Sequence, residues 1–467
     1  MVDLNSPEVS AARAGSFAPS DSDLDGLRSR VSGPVLTPTD DGFEGEVAAW
    51  KLNIVHQPDV VVGVSSEADV VAAVRFARDH RLHVRVQATG HGAEVPITDG
   101  LLIVTRGLDS LEINEETRIA TIGAGVRWGA VVAAAGELGL ATVPGSSATV
   151  GVVGYLLGGG LGPLNRSHGF SSDWVRGFTV VGADGEVIQA SAQTNPELFW
   201  ALRGGKTGFG VVTDVSIELL DLPTLYGGSL VFDGPQIETA LRAWIDYTDT
   251  ADSTVSTSAA VIRMPDVPMV PEPLRGHTVL SVRFSFPGDT ATGEQLAAPL
   301  RASAPVYVDL LGEIPASAIG TIHNDPPGPS PSWTRGRLLG ELDQDFVTAL
   351  LGHVGFGVDT PLLGVELRLL GGQAAIDVEG GSAVGGRASR FTFNLIGPPD
   401  PSLFDSVLPA VSDALLTTIA PWISPETTIN FAGRIESPEH LASAWPDGIR
   451  ERLAKERAAR DPEGLFA

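Results

Sequence analysis

Gly145-Ser-Ser-Ala-Thr-Val-Gly-Val-Val-Gly-Tyr-Leu-Leu-Gly-Gly-Gly-Leu-Gly162 decides how this 467-residue chain is read. The run holds seven glycines in eighteen residues, and an alanine-rich helical stretch, Gly129 to Leu138, leads into it. Glycine is costly in ordered chain. It is concentrated where the backbone must take φ > 0 or press against something flat or charged. Successive backbone N–H groups in such a segment form a concavity for anions. That chemistry suits a pyrophosphate and one edge of a large planar cofactor.

Two further stretches share this character. Val84-Arg-Val-Gln-Ala-Thr-Gly-His-Gly92 begins as an alternating strand and ends on a histidine between glycines. Leu198-Phe-Trp-Ala-Leu-Arg-Gly-Gly-Lys-Thr-Gly-Phe-Gly-Val-Val-Thr213 reads as a helix end, a glycine loop and a buried strand. Taken singly, each has a plain reading as a connecting loop or turn. In this order and spacing they resemble the FAD-binding fold of the vanillyl-alcohol oxidase and berberine-bridge-enzyme families, whose FAD-binding domain is of the PCMH type. The resemblance covers roughly Trp50 to Val215. It resumes at Asn430-Phe431 and at Asp461-Pro-Glu-Gly-Leu-Phe466.

The resemblance implies FAD as cofactor and His91 as its covalent anchor, with Gly90 and Gly92 letting the backbone approach. Around the first loop it implies cofactor contacts from Arg85, Gln87, Ala88 and Thr89. Around the second it implies Ser146, Ser147, Thr149, Val150, Gly151, Gly154, Tyr155, Gly158 and Gly159. Gly210, Val211, Val212 and Asn430 complete the set. Many berberine-bridge-type enzymes attach the flavin twice, through His and Cys. This chain has no cysteine, and Ser147 stands at the Cys position, so a covalent link is expected through His91 alone. Val150 falls where plant relatives carry Val in oxidases and Leu in dehydrogenases, which tilts the expectation toward O2 as oxidant.

Composition excludes other classes. With 43% hydrophobic and 19% charged residues, the chain has the makings of a packed protein, too long for one ordinary core. The absence of cysteine removes disulfide frameworks, thiolate catalysis and cysteine metal sites. A formal net charge of −26 opposes binding to nucleic acid and to anionic membranes. No run approaches the roughly 18 apolar residues of a membrane span, and the opening Met1-Val-Asp-Leu-Asn-Ser-Pro lacks signal-peptide character. A cytoplasmic protein is expected. Zinc-protease and serine-hydrolase motifs are missing, and Gly123-Ala-Gly-Val-Arg-Trp-Gly129 has the wrong spacing for a dinucleotide fingerprint.

Local patterns give an α+β architecture. The resemblance implies that it comprises a two-subdomain PCMH-type FAD-binding domain and an antiparallel-sheet substrate domain covered by helices. Residues 1–45, rich in Ser, Asp, Gly and Pro, read as an N-terminal arm, much of it a mobile leader or a wrapping arm. The FAD-binding domain spans 46–220. Within it, strands fall at 59–64, 84–87, 101–105, 111–114, 119–124, 175–181 and 187–190. Helices fall at 65–79, 128–138 and from 195. The substrate domain spans 221–420, with strands at 229–233, 279–285, 364–370 and 389–396 and a helix over 237–248. Residues 421–467 return to the FAD-binding domain.

Less is written in the sequence about catalysis. Plant relatives place a tyrosine base in a YxNY motif, and the matching segment here is Thr428-Ile-Asn-Phe431, with no phenol. Tyr155, Glu366, Arg368 and Asn394 are the catalytic candidates, with Arg390 beside them; for the strand residues an inter-strand pair is the plainer reading. His168 is either a loop residue or a pyrophosphate contact. The function expected is oxidation of a C–O or C–N centre of a small organic molecule by hydride transfer to flavin N5, followed by reoxidation by O2. A dehydrogenase using another acceptor and a flavin-bearing binding protein with little turnover are the alternatives.

Overall fold

A computed structural model describes residues 19–268 and 270–466. Strands β1 (Val35–Leu36), β2 (Val60–Gly63), β3 (Val84–Gln87) and β4 (Leu101–Val104) form one sheet in the order β1-β2-β4-β3. β2, β4 and β3 run parallel. Every residue of β2 and β4 is buried, as the unbroken apolar runs Val60-Val-Val62 and Leu101-Leu-Ile-Val104 require of strands covered on both faces. Between β2 and β3 the helix Glu67–Asp79 starts at Ser66, whose side chain accepts from the Asp69 N–H.

Of the two readings of the N-terminal segment, its described part is the wrapping arm. Asp21–Arg28 is a helix capped by Ser20, β1 pairs with β2, and Phe43–Val47 is a short helix. The apolar residues are sparse in sequence, yet Leu24, Leu27, Val31, Val35 and Phe43 are all buried. Five well-spaced anchors are enough to bind the segment to the sheet. Residues 1–18 of the arm lie outside the described residues.

A second, antiparallel sheet has the order β5-β6-β9-β7-β8. Its strands are β5 (Leu111–Asn114), β6 (Ile119–Gly123), β7 (Val175–Val181), β8 (Val187–Ala190) and β9 (Val211–Glu218). One hydrophobic core joins both sheets, with Phe76, Trp128, Phe178, Phe199 and Phe209 among its members. Leu465 and Phe466 enter that core too, so the chain's end is part of it. The Val84 N–H donates to the Leu465 carbonyl at 2.8 Å, closing the free edge of β3. Asp461 fixes the tail by accepting from the N–H groups of Leu465 and Phe466 at 2.8 and 2.7 Å.

The third sheet is antiparallel, in the order β13-β10-β12-β11-β16-β17-β15, with β14 also on β10. The strands are β10 (Thr224–Asp233), β11 (Ser256–Arg263), β12 (Thr278–Phe286), β13 (Val308–Asp309), β14 (Gly312–Pro315), β15 (Thr334–Leu339), β16 (Gly364–Leu369) and β17 (Phe391–Ile396). Side chains alternate between faces along each strand. Val261, Leu280, Val282, Val365, Leu367, Phe391 and Phe393 pack under the helices Ile237–Thr250, Thr290–Arg301, Gln344–Val354 and Val407–Thr418. On the opposite face, Ser258 pairs across with Arg283 and Arg368, and Glu366 with Asn394. This polar face meets Gly162 and Pro163 of the glycine loop.

Candidate active site

His91 is placed by a turn that only glycine can make. Gly90 takes φ +75°, and a Cβ there would lie 2.6 Å from Ala49 Cα. The chain is thereby pressed onto residues 49–50, and the His91 ring stacks on Trp50 at 4.1 Å and 19°. His91 Nε2 lies 3.0 Å from Thr149 Oγ1, which in turn lies 2.9 Å from Ser147 Oγ. Two segments far apart in the chain therefore meet at the histidine. Burial, with the nearby charges of Arg127 and Lys51, pulls the imidazole pKa down to about 4. At neutral pH the ring is uncharged and one nitrogen keeps a lone pair.

The glycine loop is held along its length by backbone bonds. The N–H groups of Trp128, Gly129 and Val152 donate to the carbonyls of Val150, Ala148 and Val126 at 2.8 to 3.0 Å. Gly151 passes close to Ala88 and Thr89 of the first loop. Further on, a side chain at Gly158 would land on Asn430 Oδ1, and Gly159 has φ +96° with Val384 and Phe170 beside it. Asn430 Nδ2 donates to the Tyr155 carbonyl at 2.8 Å. Lys206 Nζ donates to the Gly154 carbonyl at 3.1 Å and to Asn430 Oδ1 at 3.2 Å. Burial lowers the Lys206 pKa to about 8. Gly92 and Gly154 open on free space, with no atom within 4 Å of where a Cβ would stand.

Several expected cofactor contacts have other employment. Gln87 is buried, donates to the Val47 and Ala48 carbonyls at 3.2 Å each, and meets His56 Nε2 at 3.0 Å. Its side chain is a strut beneath the first loop. Val211 and Val212 point into the core between the sheets, leaving only their backbone to offer. Gly210 is packed on the Val181 carbonyl. Arg85 Nη1 donates to the Val84 carbonyl at 3.3 Å. Val150 is half-buried against the core, and Ser146 Oγ donates to Asp325 Oδ2 at 2.7 Å. His168 packs on Trp174, with Nδ1 2.8 Å from Ser167 Oγ.

On the polar face of the third sheet, Glu366 sits between two arginines. Arg283 Nη1 is 2.6 Å from Oε1, and Arg368 Nε is 2.8 Å from Oε2. Burial opposes the charge, yet Arg368 and Arg283 hold the carboxyl below its ordinary pKa. His323 Nε2 lies 3.7 Å from Glu366 Oε1, and burial reinforced by the same arginines keeps its ring neutral. The Arg368 guanidinium lies 5.0 Å from the Phe431 ring centroid. Tyr155, within reach of the Arg368 charge, has a buried hydroxyl beside Ser171 and the Leu161 backbone, and burial raises its pKa above that of an ordinary phenol. Tyr155, Glu366, Arg368 and Asn394 thus face one region. Arg390 does not: it pairs with Asp249 and Glu341 at the rim.

Sequence reasoning missed Arg283, His323, Asp325 and Lys206. The run His323-Asn-Asp325 before Pro326 was the available signal for two of them. Lys206 stands at φ +68°, a conformation that lysine rarely adopts, inside a glycine loop.

A glycine loop open at Gly154, a neutral histidine beside it, and a lysine at the Gly154 carbonyl fit a flavin dinucleotide. The comparisons agree. Residues 58–191 match the family described as an FAD binding domain. (R)-6-hydroxynicotine oxidase of Paenarthrobacter nicotinovorans is 37% identical over 195 residues, 41% of this chain and 43% of that protein. An FAD-dependent monooxygenase of Penicillium roqueforti is 33% identical over 209 residues, 44% and 41% of the two chains. The chain therefore spans less than half the length of these curated relatives.

Among solved structures, 6-hydroxy-D-nicotine oxidase from Arthrobacter nicotinovorans has a TM-score of 0.78 at 24% identity, covering 93% of this chain and 96% of that one. A berberine-bridge-enzyme-like protein of Physcomitrella patens has a TM-score of 0.80 at 18% identity, covering 95% and 97%. Fold and site define a flavoprotein with a PCMH-type FAD-binding domain under an antiparallel roof. Residues 58–191 are an FAD binding domain, FAD is the cofactor such a domain holds, and the chain as a whole resembles the FAD-linked oxidoreductases of the vanillyl-alcohol oxidase and berberine-bridge-enzyme-like family. Among the described residues no helix is long and apolar enough to cross a membrane.

Proposed function

We propose that this protein is an FAD-dependent oxidase acting on a C–O or C–N centre of a small organic molecule, with O2 as final electron acceptor. Bound FAD supplies the hydride acceptor, N5. Residues 46–220 and 421–467 hold it, and residues 221–420 cover it and receive the substrate. The observation that carries the reading is the meeting of His91 with Thr149 and Ser147 at the end of the glycine groove. His91, a neutral imidazole on a rigid turn, would be the residue that holds the flavin's 8-methyl edge. Lys206, Asn430 and the open backbone at Gly154 hold the remainder of the cofactor.

Above the groove, Arg368, Glu366, Asn394 and Tyr155 orient the substrate. Tyr155 remains a neutral hydroxyl at working pH and serves as a hydrogen-bond donor, since burial disfavours its phenolate. The ion pairs on Glu366 fix the two guanidiniums, which gives the roof a rigid polar surface. Val150, on the glycine loop and half-buried against the core of the first two sheets, leaves room for O2. Acid precipitation of the purified holoprotein tests the anchor: a yellow pellet supports the His91 bond, and complete release of flavin refutes it. Mixing the reduced protein with air-saturated buffer tests the oxidant. Fast reoxidation supports an oxidase, and slow reoxidation with rapid turnover on a quinone overturns that assignment.

A further inference from the structure

Two consecutive residues tie the glycine loop to the third sheet. Asn165 and Arg166 follow Gly162-Pro-Leu164 directly and open the short helix Asn165–His168. Both are buried, and a buried charge is costly unless it is well bonded. Arg166 meets that demand with backbone carbonyls of the third sheet and one of its helices. Nε donates to the Val255 carbonyl at 2.7 Å, and Nη2 to the carbonyls of Ala251 and Asp252 at 3.3 and 3.1 Å. Nη1 donates to the Leu370 carbonyl, and the Arg166 N–H to Ser256 Oγ at 3.2 Å. Asn165 Nδ2 adds a bond to the Leu369 carbonyl at 3.1 Å.

The acceptors form a pattern. Ala251 and Asp252 follow the helix Ile237–Thr250, whose end carries partial negative charge. Val255 and Ser256 stand at the start of β11, and Leu369 and Leu370 at the end of β16. One guanidinium therefore reaches two strands and a helix end. The sheet is shaped to receive it. Gly371 and Gly372 take φ +90° and +55°, and a Cβ on Gly372 would collide with the Arg166 carbonyl. β11 and β16 carry Ser258, Glu366 and Arg368. Asn165 stands where those strands' polar face meets Gly162 and Pro163.

We propose that Arg166 is a positioning residue: its guanidinium sets the height of the third sheet above the glycine loop, and with it the place of Arg368 and Glu366 over bound flavin. It acts through β11 and β16, since its own nitrogens are all committed to carbonyls. The proposal rests on the reading that the third sheet covers the flavin. Two lobes of one chain move against each other by default unless something fixes their contact. A planar guanidinium holds several acceptors in one fixed geometry, which the point charge of an ammonium does not.

Arg263 provides the control. Its Nη2 donates to the carbonyls of Val354, Gly355 and Val358 at 3.1, 3.5 and 3.3 Å, at the end of the helix Gln344–Val354. The bonding is of the same kind, but both of its sides belong to the third sheet and its helices. The test uses the FAD-loaded protein and needs no turnover. Acrylamide quenching of the flavin emission reads how far the flavin is covered, and thermal denaturation reads stability. Arg166→Met and Arg263→Met are both expected to lower the melting temperature. Only Arg166→Met should raise the quenching constant, by about twofold or more, because a loosened contact exposes what lies between its two sides. An unchanged constant in flavin-loaded Arg166→Met overturns the proposal. An equal rise in Arg263→Met also overturns it, because general loosening would then be the cause. Should Arg166→Met fail to fold, Arg166→Lys decides. Its single ammonium does not serve the helix end and Leu370 together, so the constant should still rise, and no rise overturns the proposal. Failure of the covering reading would show separately, as wild-type flavin no less quenchable than free FAD.

Discussion

The glycine loop at Gly145–Gly162 and the roof around Glu366 face each other and are built by opposite means. The groove is made of backbone. Its shape comes from residues without side chains, and its polar groups are N–H and C=O already committed by local geometry. The roof is made of long charged side chains on β12 and β16, which meet across β11 and hold one another by ion pairs. A backbone cradle tolerates almost no added atom. A side-chain roof tolerates changes of shape but not of charge balance.

That contrast is broken or sharpened most by changing charge in the roof. Glu366→Ala leaves two buried guanidiniums without a partner and should cost about 3–5 kcal/mol of stability, read as a fall in denaturant midpoint. The rim pair of Arg390 with Asp249 and Glu341 is the control. Arg390→Ala should cost no more than about 1 kcal/mol. Comparable losses at the two sites would mean that burial of the Glu366 cluster carries no special weight.

Gly159→Val asks the same of the groove. A β-branched residue at φ +96° against Val384 and Phe170 combines backbone strain with overpacking, together about 2–5 kcal/mol. The variant should be apo or insoluble. Soluble protein with a full complement of flavin would show that the run is only a connection.

His91→Ala should leave the fold intact and any flavin acid-releasable. It should also change the pH dependence of the flavin-free protein. The folded-state pKa is about 4 and the ordinary value 6.5, so in this window the unfolded chain binds the extra proton. Stability then falls as pH drops from about 6.5 toward about 4, and His91→Ala should flatten that slope. Chemical denaturation of the apo form at pH 7 and pH 4.5 measures it, and an unchanged slope would count against a buried neutral imidazole.

The smallest expected effect is at Val150. Val150→Leu adds one methylene where the side chain is only half-buried, so stability should change by less than about 1.5 kcal/mol. Reoxidation of reduced flavin by air should slow, with substrate-driven reduction changed much less. Stopped-flow measurement of both half-reactions distinguishes this from general distortion, which would slow both.

The sequence by itself determined the FAD-binding fold, the groove and the position of His91, because a backbone that must turn through φ > 0 or approach closely requires glycine locally. The strand alternation that put Glu366 and Arg368 on one face was equally legible, being a property of consecutive residues. Only the tertiary structure decided which neighbours they meet. Sheet register brings Arg283 to Glu366 across 83 positions, and a proline-rich loop carries His323 to the same carboxylate. Gln87 turned out to be a strut and Val211 and Val212 core, since a strand's sequence does not say what covers each face. For residues 19–45 the sparse apolar anchors left a mobile leader and a wrapping arm both open, and packing decided for the arm, because buried area, not apolar density, holds a segment down. Glycine requirements are set within a few residues of chain. Charge pairing and burial are set by surfaces that meet only after folding.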